Sequence, residues 1–591
     1  MSVNLLTCLQ EKALQYINLL NQLYKSLIAK LTSNYRKIWR LEILVIITVW
    51  SISLIVSSSV FNRPLNIDAH HEYLTAHSLV SLRALDQWGI GRLLGASVLV
   101  PKSIEYLQSD ITIFNKGDGV YLSYPSLWLV FPYVIFKILA IPISTTNLQI
   151  YHLICDRLLS SIVIYFLFLE IIRLFKIPDF VNGWGARLLA FTATSAWMFN
   201  PPVLYWTQNV YFCDQAVLLP IYTLILFAVK HHFQFTTLSR FNQLILFALS
   251  LLAAGFDWYG WVFLFLLIMT VALPIVFKDI GAALRSILPI VVAITCISIW
   301  FLAQLIYYKD GFNQVSNIAV ERVGAHLEFN LNQDLFVMTH YWVQYLPKYI
   351  QAIWDAGKLY LSVILLILAI LLGWLCGHSQ SKLNFLSVCL LIFFAPLMQI
   401  SILRQHSTIH DFSALKLALP TVFTLWIVMP LAILLLIKYL PKLFISVSWS
   451  TIVAFLILSF FASKDVSSEL LKFAGSGGSY PREIGAIVQK YIVETDLPIS
   501  DSPKIFIGSV PPQPTWYANR FVYRTPDLPN LIRRSNLSNL KHLNPVFLIY
   551  ADEKPSPQVQ EFCKDSWQSI PETIMDKNVL ICRSNKLRDL L

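Results

Sequence analysis

Four short segments of the chain carry residue types able to do chemistry. The first is Asn66-Ile67-Asp68-Ala69-His70-His71-Glu72-Tyr73. If helical, it sets Asp68, His71 and Glu72 on one face at i, i+3 and i+4. A carboxylate just beyond a membrane helix end is well placed to take a proton from a substrate. The plainer alternative is that Asp68 caps the helix that follows. The second segment runs from Gln208 to Asp214, where Asp214 opens an apolar run. An acid at membrane depth is costly, which marks it for function, although the helix dipole also favours a carboxylate there. The third is the turn Gly255-Phe256-Asp257-Trp258, one acid among aromatics. The fourth, Arg404-Gln405-His406-Ser407-Thr408-Ile409-His410-Asp411, joins a cation to two imidazoles. Arg404, with His406 or His410, suits a phosphate, and an Arg404–Asp411 ion pair is the alternative. Asp68 and Asp214 are the residues available to a divalent metal, but no spacing here matches a strong metal motif.

Composition says what must position these groups. Of 591 residues, 56% are hydrophobic and 13% charged, against about 25% charged in soluble domains. Such a chain has too little polar surface for water, which excludes a cytosolic enzyme and a nucleic-acid-binding protein. Its net charge of +11 is explained by Lys and Arg at cytoplasmic loop ends. There is no P-loop, no GxSxG and no glycine-rich nucleotide cradle.

Residues 1–40 read as a basic amphipathic helix on the inner leaflet, ahead of a first span at 41–60. Apolar runs follow to residue 462. Beyond residue 150, one alternating set of short loops holds ten Lys and Arg, from Arg173 to Lys442, and the other holds only Arg404. The basic set belongs inside. With the N-terminus cytoplasmic, this works only if one early run fails to cross. That run is Tyr124–Ile143, interrupted by Pro125, Pro132, Lys137 and Pro142. The expectation is an α-helical polytopic membrane protein with about 11 transmembrane helices plus interfacial helices. A membrane domain over 41–463 would carry a large outer loop at 61–152, and all four segments would share the extracytoplasmic face.

The tail, 464–591, has soluble composition. Helix-like residues at 481–493, strand-like runs at 504–509, 546–552 and 579–584, and a helix from Pro555 predict a small extracytoplasmic α/β domain. Cys563 and Cys582 both fall in it, either paired or as two free thiols.

Asp68 soon after the first span, YPSLWLVFP (124–132), Asp156-Arg157-Leu158-Leu159-Ser160 and NPPVLYWTQNVYFCDQAVLL (200–219) resemble the integral-membrane glycosyltransferases of the GT-C superfamily. Protein O-mannosyltransferases and lipid A aminoarabinose transferases are among them. The resemblance covers roughly residues 41–440. It implies an inverting transferase with a polyprenyl-phosphate sugar donor, and a glycan, lipid or protein acceptor. Asp68 would be the general base, and Asp214 would position the acceptor or a metal. Arg404, His406, His410, His71, Glu72 and Asp257 would bind substrate or the donor phosphate. No cofactor is required by the sequence, and a divalent metal is the one the resemblance allows. Membrane lipids are the expected surroundings. A polysaccharide ligase or polymerase remains an alternative, because loop 308–358 carries Glu321, Arg322, His326 and Glu328. A lipid or solute transporter is the other, although its usual internal repeats are not evident.

Overall fold

The structure is a computed structural model. It describes residues 35–61, 71–98, 120–174, 184–277, 279–308, 311–323, 379–403, 411–428, 430–431, 480–491, 504–507, 512–518, 522–524, 546–551, 567–574 and 577–584. Helices dominate up to residue 431. Cys213–Lys230, Trp258–Val276 and Ile280–Tyr307 are long and apolar enough to cross a membrane. They expose large apolar side chains such as Phe265, Leu288 and Ile299, as suits a lipid environment. Of the amphipathic helix expected at 1–40, residues 1–34 lie outside the described residues and 35–40 belong to the helix Tyr35–Phe61; the apolar runs at 359–376 and 443–462 lie outside them too.

Residues 124–143 form a helix only over Leu127–Ile138, with Pro132 inside it. Its 12 residues are short of the roughly 20 that a span requires. Ala140 turns the chain at φ 52° immediately afterwards. Thr145–His152 then leads into a wide π-type turn, Leu153–Leu159, and the helix Ser160–Leu174.

The helix Tyr73–Trp88 is the buttress of this region. Thr75, Ser78 and Ser81 recur every three residues and form a buried polar stripe. Thr75 Oγ1 donates to Asn209 O (2.9 Å) and accepts from Tyr211 N (3.0 Å). Ser78 donates to Tyr211 O at 2.7 Å. Ser81 Oγ donates to Val98 O at 3.0 Å, and His77 meets Ser97 at 2.8 Å. These bonds pin the two-stranded antiparallel pair β1 (Ser97–Val98) and β2 (Val120–Tyr121) onto the helix.

Beyond residue 480, the helix Tyr480–Tyr491 accompanies a five-stranded mixed sheet in the order β4-β3-β5-β7-β6. β3 (Lys504–Ile507) runs parallel to β4 (Val522–Arg524) and β5 (Val546–Ala551). β7 (Lys577–Ser584) runs antiparallel to β5 and to β6 (Trp567–Ile574). The runs at 504–509, 546–552 and 579–584 fall on β3, β5 and β7. β4 and β6 are additions, since neither has a continuous apolar run. The expected helix from Pro555 lies outside the described residues. Cys582 is disulfide-bonded, and Cys563 lies outside the described residues. Trp516, on Pro512–Ala518, receives the Arg83 guanidinium 4.0 Å from its ring centroid, which ties this region to Tyr73–Trp88.

Candidate functional site

Three charged side chains from distant parts of the chain meet in one buried cluster. Lys416 Nζ donates to Asp214 Oδ1 at 2.5 Å and to Asp257 Oδ2 at 3.1 Å. Exposure is 2% for Lys416, 1% for Asp214 and 0% for Asp257, so no solvent shares these charges. Buried ions at this depth persist only when paired and hydrogen-bonded.

Each member is held by its own element. Asp214 sits in the short turn Cys213–Ala216, at the start of a span. The chain reaches it from Pro201–Asn209, which is clamped from two sides. Tyr73–Trp88 holds its end through Thr75 and Ser78, as above. Arg157 donates to Leu204 O at 2.7 Å and Thr207 Oγ1 at 3.0 Å. His152 bonds Trp206 O at 2.8 Å through Nε2 and pairs with Asp156 through Nδ1. The Asp156-Arg157 pair is therefore buried structure that steers the approach to Asp214.

Asp257 stands at the corner between Arg240–Phe256 and Trp258–Val276, in extended backbone at φ −155° and ψ 157°. Two glycines make the corner sharp. A Cβ on Gly260 would lie 1.8 Å from Ala253 O, and one on Gly255 would lie 2.6 Å from Leu127 Cδ2. The corner is closed by Gly260 N donating to Asp257 O at 2.9 Å and Trp261 Nε1 donating to Ala254 O at 2.7 Å. Trp258 Nε1 donates to Ser123 O at 2.8 Å, fastening the corner to the turn after β2.

Lys416 comes from the tight turn Asp411–Leu417, just before the helix Ala418–Phe423. Its ammonium also lies 5.2 Å from the centroid of the Tyr259 ring. Asp257 Oδ1 is buried with no hydrogen-bond partner among the described residues. Burial pushes the Asp257 carboxyl up to about 6, against the pull of Lys416 and with the help of Asp214.

Arg322 completes the surroundings. It lies on Gly311–Val323, donates to Tyr121 Oη at 2.6 Å, and stacks 4.3 Å from the Tyr124 ring centroid. Burial opposes its charge, but Tyr124, Tyr121, Cys213 and Asp214 hold the guanidinium above its usual range. No carboxylate pairs with it among the described residues.

Of the residues expected from sequence, Asp214 and Asp257 are brought together. Asp68, Arg404, His406 and His410 lie outside the described residues. The helical face for His71 and Glu72 is not formed. His71 has φ 55° and the helix begins only at Tyr73, with buried Glu72 at its N-cap. His71 instead packs against Phe412 and Trp206, with ring centroids 5.6 and 6.0 Å apart. That contact joins the segment just before the helix Tyr73–Trp88 to the segment carrying Lys416. Lys416 itself went unnoticed in the sequence. The signal for it was a lysine at the mouth of an apolar run, only twelve residues after Arg404.

Among the described residues, no group of three or more His, Cys, Asp or Glu is gathered as a metal site. Asp214, one of the two residues expected to be open to a metal, has Oδ1 taken by Lys416. A divalent ion does not fit there while the lysine stays.

No known family profile matches the sequence, and no curated protein matches it. Solved structures similar to it include these two. ArnT from Cupriavidus metallidurans in the apo state is 12% identical, with 87% of this chain and 98% of that one covered and a TM-score of 0.37. The Archaeoglobus fulgidus oligosaccharyltransferase, tethered to an acceptor peptide with an NVT sequon, is 10% identical, with 88% and 70% covered and a TM-score of 0.45.

Proposed function

We propose that this protein is a membrane glycosyltransferase. It moves a sugar from a polyprenyl-phosphate-linked donor to a glycan, lipid or protein acceptor at the extracytoplasmic face. The observation that carries the reading is the buried Asp214–Lys416–Asp257 cluster, in which Asp257 Oδ1 has no donor among the described residues, with Arg322 held nearby on Tyr121 and Tyr124.

A lipid phosphate is already a leaving group, so the protein need supply only a base, a cation and positioning. Asp257 Oδ1 takes the proton from the acceptor hydroxyl or amide. The acceptor atom bonds to the anomeric carbon while the carbon–oxygen bond to phosphate breaks, and the bonding pair leaves with the polyprenyl phosphate. Attack opposite the departing phosphate inverts the anomeric carbon. A carboxyl near 6 suits this role, because a base works best close to the operating pH. Asp214, fixed by Lys416, holds Asp257 and the acceptor in register. Arg322, which has no carboxylate partner among the described residues, meets the phosphate charge as it develops. Asp68 is the alternative base, with Arg404, His406 and His410 assisting at the phosphate and His71 and Glu72 lining the acceptor side. The organisation proposed with it is an amphipathic helix at 1–40, a membrane domain at 41–463 and an outer domain at 464–591. The disulfide at Cys582 supports an oxidising, extracytoplasmic location for the last.

The test is sugar transfer from a polyprenyl-phosphate donor in proteoliposomes, comparing wild type with Asp257→Asn and Asp68→Asn at matched expression. Loss in Asp257→Asn by about 10²-fold or more is expected of a removed base. Full activity there, with loss in Asp68→Asn, moves the base to Asp68. Solute flux without any covalent product in the wild type overturns the transferase reading.

A further inference from the structure

Lys416 holds its nitrogen within hydrogen-bond reach of one oxygen from each of two buried carboxylates, 2.5 Å from Asp214 and 3.1 Å from Asp257. That is the position of a bridging cation. The rest of the setting suits an ammonium better than a metal. The Tyr259 ring centroid lies 5.2 Å from the nitrogen, a contact that favours an ammonium. Asp214 Oδ2 faces Cys213 Sγ at 3.6 Å, so the second oxygen of that carboxylate is engaged as well. Mg²⁺ and Mn²⁺ ask for about six oxygen ligands in near-octahedral array. The contacts seen around this nitrogen and its acids include the two carboxylates, a thiol and an aromatic ring.

Electrostatics points the same way. Two buried carboxylates without a cation would repel and one would take a proton. A tethered ammonium neutralises one of the two charges at every metal concentration, because it cannot dissociate from the chain. We propose that Lys416 is a built-in cation in the place where a divalent metal would bridge Asp214 and Asp257, so that this centre holds no metal. The catalytic meaning of the proposal rests on the transferase reading, but its test does not.

The full chain, purified in detergent and stripped with chelator, is titrated with Mn²⁺. Binding is followed by the paramagnetic resonance of free Mn²⁺ and by thermal unfolding. Wild type and Asp214→Asn should behave alike, with no Mn²⁺ site that depends on Asp214. Lys416→Ser removes the ammonium and leaves both acids. It should gain one Mn²⁺ per chain, bound about tenfold or more tightly than by wild type, and Mn²⁺ should raise its unfolding temperature. Adding Asp257→Asn to Lys416→Ser should abolish that gain. A wild-type Mn²⁺ site that disappears in Asp214→Asn overturns the proposal. So does a Lys416→Ser protein that elutes as folded and gains no site. If Lys416→Ser does not fold, the comparison of wild type with Asp214→Asn decides alone. Since no readout here is sugar transfer, failure of the transferase reading would leave this result standing.

Discussion

Lys416 Nζ and Asp214 Oδ1 lie 2.5 Å apart across 202 residues of sequence, both sealed from solvent. This contact ties the turn Asp411–Leu417 to the start of the apolar helical run Cys213–Lys230. With the 3.1 Å contact to Asp257, it makes one cluster from three separate loops.

Removing the ammonium strands two buried acids. Lys416→Met should destabilise the protein by about 3–5 kcal/mol, the usual cost of breaking a buried pair from one side. Adding Asp214→Asn and Asp257→Asn should recover much of that loss. Thermal unfolding in detergent reads both steps, and a triple variant no more stable than the single would contradict the pairing.

Asp257 predicts a pH response in both stability and activity. Its carboxyl rises from 3.8 to about 6 on folding, so the folded state holds the proton more tightly. Its contribution to stability is therefore full below about 3.8 and is lost as pH rises through about 6. As a base it works only when ionised, so sugar transfer should climb through the same interval. Melting curves and rates from pH 4 to 8 would show the two limbs moving oppositely, and Asp257→Asn should flatten both.

The corner carrying Asp257 should be intolerant of any side chain at Gly260. Gly260→Ala sets a Cβ 1.8 Å from Ala253 O, which is backbone and cannot swing away. A loss of about 3 kcal/mol or more is expected from such overpacking. Gly91→Ala is the control, since nothing lies within 4 Å of the added carbon, and it should change stability by less than about 0.5 kcal/mol. Paired melting measurements would reveal the contrast.

Arg157 uses a fork that lysine lacks. Arg157→Lys should cost about 1–3 kcal/mol, because Leu204 O and Thr207 Oγ1 cannot both be reached by one ammonium in the same geometry. Equal melting temperatures for Arg157→Lys and wild type would show that the clamp on Pro201–Asn209 is not needed.

Cys582 should resist thiol labelling in the unfolded, unreduced protein and should label once the protein is reduced. Labelling of Cys582 in unreduced wild type would remove the bond, and with it one support for an outer tail.

Sequence alone pointed to a largely helical, lipid-seeking chain and singled out two of the three residues that meet in the buried cluster. Composition demanded lipid, because 13% charged residues cannot coat a soluble body of this size. Asp214 and Asp257 stood out because acids at the ends of apolar runs are expensive and few. Prolines within 124–143 likewise marked an interrupted run, and its helix covers only Leu127–Ile138. Lys416 did not stand out. A lysine flanking an apolar run usually marks a membrane edge, and nothing local says that it points inward to meet acids 202 and 159 residues away. His71 shows the opposite error, since helical spacing grouped it with Glu72 while its backbone turns left-handed before the helix starts. Local pattern determines which stretches seek lipid and where a charge is costly. Which charge compensates which is decided by tertiary packing, because pairing depends on distance in space, and helix ends far apart in the chain are brought together only when the bundle closes.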